Sequence, residues 1–180
     1  PAGERVVVIH NPPVVNRELG IRQSSIKAAR DIGAELIRSG IQTIVFAPSR
    51  TRVELLLTYL RDSLRNKPGD PERITGYRGG YLPNERRAVE KGLRDGSIRG
   101  VVATNALELG IDIGGLGASV VTGYPGSLAS LWQQFGRAGR SRESALSVLV
   151  ASSNPLDHFV ATHPDFVFEG SIERGLIDPD

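Results

Sequence analysis

Two kinds of segment alternate along this chain. Short apolar runs rich in β-branched residues, with no internal period and with glycine or proline at their borders, read as buried strands. They are Gln42–Ala47 (QTIVFA), Arg99–Asn105 (RGVVATN), Ala118–Tyr124 (ASVVTGY) and Ala145–Ser152 (ALSVLVAS), with Arg73–Tyr77 (RITGY) as a weaker fifth. Between them lie stretches with helical spacing. Ser24–Ser39 places Ile26, Ala29, Ile32 (or Gly33), Leu36 and Ile37 on one face and stops at Gly40, a C-cap residue. Thr51–Leu64 opens on a threonine cap and repeats Val53, Leu56, Leu57, Leu60 and Leu64. Pro83–Asp95 has proline in its first turn and Gly96 at its end, and Leu128–Arg137 follows a capping Ser127.

Apolar strands alternating with amphipathic helices predict an α/β domain, a doubly wound and mainly parallel sheet with helices on both faces. In such sheets ligands bind beyond the carboxyl ends of the strands. The unusual residues fall there: PSRTR after the first main strand, RGG after the next, then TNALELGID and GYPG. Residues 24–153 form this domain. Residues 1–23 are expected to be an arm or linker plus one strand, and residues 154–180 an extension leading towards a further domain.

Composition narrows the chemistry. The chain has 180 residues, no cysteine and three histidines, His10, His158 and His163, without the close spacing of a metal pair. No disulfide or cysteine-ligated zinc is possible, and no metal site is expected. There is no long apolar run or signal-peptide pattern, so the expectation is a cytoplasmic protein without a membrane partner, nucleoid-associated if bacterial or archaeal. The net charge of +2 does not by itself announce a nucleic-acid partner. Its distribution says more, with arginines gathered at 50 and 52, at 78, 86 and 87, and at 137, 140 and 142. The chain starts without methionine, which reads as a segment of something longer.

Four stretches carry candidate chemistry. In TNALELGIDI, Thr104 stands at a strand-to-helix junction suited to a phosphate. Asp112, beyond Gly110, could accept from a sugar hydroxyl or act as a turn aspartate. In YRGGYLPNERR, Gly79 and Gly80 permit close backbone approach beside Arg78, or form a plain turn. In FAPSRTRVE, Ser49 precedes Arg50, which could grip a phosphate in bidentate fashion or pair with Glu54. The sharpest is WQQFGRAGRSR, where Arg137 and Arg140 project from a helix end framed by Gly136, Ala138 and Gly139. A guanidinium fork suits a transferring phosphoryl group.

In this order and with these gaps, QTIVFAPSR, YRGGYLPNERR, TNALELGIDI and QQFGRAGR resemble motifs IV, IVa, V and VI of superfamily 2 helicases over about Gln42–Ser152. The chain therefore resembles the second RecA-like domain of a DEAD/DEAH-box-type helicase. Its tail and its YRGGYLPNERR look most like the MrfA type of DNA-repair helicase, related to fungal RecQ-like enzymes, which carry a cysteine-rich zinc domain further on. The resemblance implies that Arg137 and Arg140 are arginine fingers on the γ-phosphate of ATP. It further implies that Gln133 contacts phosphate or polarises the nucleotide cleft, that Asp112, with Gly110, touches the ribose or couples the cleft to the track, and that Ser49, Arg50, Arg78, Gly79, Gly80 and Thr104 hold a single-stranded nucleic acid. Arg78 stands where many relatives have histidine. Gln133 stands where RNA-remodelling DEAD-box proteins have histidine, which favours DNA over RNA.

No G-x-x-x-x-G-K-[ST] phosphate loop occurs, so ATP and Mg²⁺ would be bound mainly by an N-terminal RecA-like domain. By itself the chain is expected to be inactive. An RNA helicase domain of the DEAD-box type, and a nucleic-acid-binding module without motor activity, are the alternative readings.

Overall fold

A computed structural model describes residues 4–65, 73–77, 82–104, 115–139 and 144–170. The strands are β1 (Arg5–His10), β2 (Val14–Asn16), β3 (Ile21–Arg22), β4 (Thr43–Ala47), β5 (Ile74–Tyr77), β6 (Gly100–Thr104), β7 (Ala118–Thr122) and β8 (Ala145–Val150). The helices are α1 (Ser25–Arg38), α2 (Arg50–Leu64), α3 (Pro83–Asp95), α4 (Leu128–Phe135) and α5 (Pro155–Thr162), and residues 165–170 add a further helical turn. Six strands form one sheet in the order β1-β8-β7-β4-β6-β5, and every pairing in it is parallel. β2 and β3 form a separate antiparallel pair.

The lack of period in the strand sequences has a direct cause. Successive side chains point to opposite faces, and here both faces are covered. In β4, Val45 and Ala47 join the core beneath α1 and α2, whereas Ile44 and Phe46 join the core beneath α3, α4 and α5. β8 divides in the same way, with Val148 and Val150 on one side and Leu149 on the other. Phe46 and Phe135 are among the largest fully buried side chains, and truncating either to alanine would cost roughly 3–5 kcal/mol.

The helices start and stop for identifiable reasons. Ser24 caps α1 by accepting from the Lys27 N–H at 3.1 Å. The C-cap is Ser39, and Gly40, with φ +82°, makes the left-handed step that follows. The cap of α2 is Ser49, not Thr51. Its backbone is extended and its hydroxyl accepts from the Arg52 N–H at 3.2 Å, so Thr51 already lies within the first helical turn. α3 has the expected bounds and ends on a left-handed Gly96.

α4 ends at Phe135, two residues before the expected Arg137. Two buried hydroxyls fix that end: Ser119 Oγ donates to the Gln134 carbonyl at 2.8 Å and Ser147 Oγ to the Phe135 carbonyl at 3.2 Å.

The ends of the chain also contribute to the packing. β1 lies beside β8 in the main sheet, while Val160 of α5 and Val167 are fully buried in the second core. Among the described residues no helix is long and apolar enough to cross a membrane.

Candidate functional site

Because the six strands run the same way, the sheet has one carboxyl edge and one amino edge, and candidate residues occur at both. At the carboxyl edge, the register pairs Ala47 of β4 with Thr104 of β6 and Phe46 with Ala103. Neighbouring strands lie about 4.8 Å apart, so Thr104 emerges next to the point where the chain leaves β4 for Pro48, Ser49 and Arg50. Thr104 is half-buried, and Ser49 and Arg50 are exposed. Ser49 uses its oxygen to cap α2 and keeps its hydroxyl proton for an outside acceptor. Arg50 is the first residue of α2, where the helix end carries partial positive charge. β5 ends alongside at Tyr77, whose hydroxyl accepts from Arg86 Nε of α3 at 3.0 Å. The sequence pattern did not single out this Arg86–Tyr77 bond, because it spans the 78–81 segment. Arg78, Gly79 and Gly80 lie outside the described residues, as do Gly110, Asp112 and Arg140.

At the amino edge, the chain beyond α4 turns onto the strand starts. Leu116, just before β7, forms a parallel bridge with Ala138. Its N–H donates to the Arg137 carbonyl at 3.3 Å, and its carbonyl accepts from Gly139 at 2.7 Å. Arg5, the first residue of β1, reaches across to donate to the Ala138 carbonyl at 3.1 Å. Arg137 is thus half-buried on a short segment held from β1 and from the start of β7.

Gly139 takes φ +83°, and a Cβ there would sit 2.6 Å from the Ala145 Cβ at the start of β8. The second glycine of GRAG is therefore required by the turn and by close backbone packing. Gly136, at φ −66°, still has helical geometry.

The two adjacent glutamines differ. Gln133 is exposed on the last turn of α4, whereas Gln134 is only 4% exposed. Sequence alone does not separate them.

The sheet therefore brings Ser49, Arg50 and Thr104 together at one edge, and places Arg137 at the other, with Gln133 on the helix turn leading to it. Among the described residues no three His, Asp or Glu side chains are grouped to hold a metal ion.

This six-stranded parallel sheet with helices on both faces is a RecA-like domain, and comparison with known proteins gives its family. The helicase conserved C-terminal domain family matches residues 26–142. The chain is 49% identical over its whole length to the uncharacterized ATP-dependent helicase YprA of Bacillus subtilis, of which it covers 24%. It is 38% identical over 172 residues, 94% of the chain, to the ATP-dependent helicase HRQ1 of Saccharomyces cerevisiae, of which it covers 16%. Among solved structures it superimposes on the DUF1998 helicase MrfA bound to DNA with a TM-score of 0.88 and 50% identity, over 94% of this chain and 22% of that one. The chain belongs to the superfamily 2 helicases, as their second RecA-like, helicase C-terminal domain. It spans less than a quarter of the length of these relatives.

Proposed function

We propose that this chain is the second motor domain of an ATP-dependent DNA helicase of the repair type. In this reading it supplies one wall of an ATP cleft and half of a single-strand track. The observation that carries the reading is the division of candidate residues between the two edges of the sheet. Ser49 and Arg50 on one stretch and Thr104 on another distant in sequence converge at the carboxyl edge with the donors that a sugar-phosphate backbone needs. Arg137 is braced at the opposite edge. A motor needs this separation, because nucleotide and strand must both touch the domain without competing. The MrfA structures bound to DNA, and to DNA with AMPPNP, at 50% identity, support DNA and ATP as the two ligands.

In the nucleotide cleft this chain's part is electrostatic. As the γ-phosphoryl group transfers, charge grows on its oxygens, and the guanidinium groups of Arg137 and Arg140 stabilise it from across the interface. In this reading Gln133, exposed near this edge, contacts phosphate or polarises the cleft, and Asp112, with Gly110, serves the ribose or couples the cleft to the track. The sequence carries no G-x-x-x-x-G-K-[ST] phosphate loop, so in this reading the N-terminal RecA-like domain supplies most contacts to the nucleotide and its Mg²⁺.

DNA-stimulated ATP hydrolysis by the full-length protein tests the reading. Arg140→Ala and Arg137→Ala should each lower turnover on the order of a thousandfold while single-strand affinity holds. Unchanged turnover with weakened strand binding would make the arginines simple backbone grips and the motor assignment wrong. Stimulation by RNA rather than DNA would point to a DEAD-box type of activity.

A further inference from the structure

The carboxyl edge continues past β4 to β7, β8 and β1, where of the four helicase-like stretches only Pro48 of QTIVFAPSR reaches. A cavity of about 250 Å³ opens there between the ends of β7 and β8 and the start of α1, lined by Ser25, Arg52, Thr122, Tyr124, Ser152 and Asp157 among others. It adjoins a cleft of about 890 Å³ that shares Ser25 and Arg52 and adds Arg22 and His158.

Thr122, the last residue of β7, forms part of the cavity wall. It is 1% exposed, and its hydroxyl has no hydrogen-bond partner. Buried hydroxyls are normally paired, and an unpaired one costs stability, so the end of β7 carries an unmet hydroxyl in the wall of this cavity.

The rest of the lining indicates which ligand. The first-turn N–H groups of the 14-residue helix α1, at Ser25 and Ile26, have no partner inside the helix, and Ser24 already caps Lys27. Arg52 stands exposed at the mouth, and among the described residues no carboxylate pairs with it. Asp157 opposes an anion, but its Oδ2 is held by the N–H groups of Tyr124 at 3.0 Å and Ser152 at 2.8 Å, tying the ends of β7 and β8 to α5. Burial, and then the Asp157 carboxylate, keep the Tyr124 phenol above its usual range, so it adds no negative charge. The hydroxyl, amide and guanidinium groups left over suit a phosphate.

We propose that this cavity binds one phosphate of the nucleic-acid strand, beyond the contacts at Ser49, Arg50 and Thr104. Arg52 lies on the same helix as Arg50, two residues further along, so a strand crossing the start of α2 passes from one set of contacts to the other. The cleft beside the cavity gives the strand room to continue past Arg22 and His158. The proposal rests on the motor reading for the strand's presence at this edge.

The test uses the full-length protein with two oligothymidylates, of about 6 and about 20 nucleotides, so that only the longer reaches past the first contacts. Arg52→Gln and Thr122→Val should each weaken the long strand several-fold and leave the short one unchanged. Arg52→Gln should also lower the slope of log K against log salt by about one. Thr122→Val should melt no lower than wild type, since it removes an unpaired hydroxyl. A lower melting temperature would mean that a buried water already serves Thr122, which overturns the cavity's role.

Wild-type long-strand affinity in both variants would overturn the proposal, as would a loss confined to Arg52→Gln, which marks surface charge alone. Inorganic phosphate separates the sources and the readings. If phosphate stabilises wild type more than both variants while strand affinities do not differ, the site takes free phosphate, and the strand assignment fails. If wild type binds neither oligonucleotide, the motor reading fails, and the phosphate arm still decides what the cavity binds.

Discussion

Gly139 shows what a single position contributes to the motif that bears the arginines. Its φ of +83° is one that side chains rarely adopt, and a Cβ would lie 2.6 Å from Ala145. Gly139→Ala should therefore destabilise the fold by about 2–4 kcal/mol, from backbone strain together with overpacking against β8. Gly136 is helical, and a Cβ there would meet the Trp132 carbonyl at 3.2 Å, a contact that a small shift relieves. Gly136→Ala should cost clearly less. Denaturant unfolding of the two variants decides the matter, and the reverse ranking would refute this account of the turn. The sequence shows both glycines equally and suggests that they clear space beside the arginines. Only the fold separates a glycine demanded by its dihedral angle from one that keeps helical geometry. The shift of the α2 cap from Thr51 to Ser49 has a similar origin, since both residues can cap and the extended backbone at Ser49 makes the choice.

At the scale of elements, the end of α4 is positioned by groups far from it in sequence. Ser119 on β7 and Ser147 on β8, both fully buried, donate to the last carbonyls of the helix, and Arg5 on β1 holds the Ala138 carbonyl beyond it. These bonds set where the helix stops and where Arg137 begins its approach to the amino edge. Ser119→Ala and Ser147→Ala should each cost about 1 kcal/mol of stability. In the full-length protein they should lower ATP turnover while leaving strand affinity and the strand concentration for half-maximal stimulation unchanged. Equal losses in turnover and strand affinity would reduce both serines to a merely structural part. Most elements were legible beforehand: the five apolar runs are strands β4 to β8, and the four helical patterns are α1 to α4. What escaped were features that depend on distant partners. The early end of α4 needs hydroxyls 15 and 12 residues away, and the short pair of β2 and β3 has no apolar alternation long enough to announce it.

Across the whole molecule, a parallel sheet imposes a polarity that no single motif contains. The carboxyl ends of the six strands of the main sheet share one edge, so the stretches after β4 and β6 meet there although more than 50 residues separate Ala47 from Thr104. The segment after α4 is carried back to the other edge, since a helix joining parallel strands must return the chain to the strand starts. On the proposed motor reading, this arrangement leaves the two candidate surfaces independent within the domain, to be coupled when a second domain closes on it. In full-length protein without nucleotide, Arg50→Gln should weaken single-strand binding, Arg137→Gln should leave it unchanged, and the double variant should match Arg50→Gln within about 0.5 kcal/mol. With a non-hydrolysable ATP analogue bound, the same cycle should give a coupling free energy of about 1–3 kcal/mol, because nucleotide contacts at one edge then bias the closed state that the strand shares. Coupling already present without nucleotide would mean that Arg137 acts on the strand directly, and its placement at the amino edge would no longer explain its role. Coupling absent in both conditions would leave two binding surfaces with no motor between them.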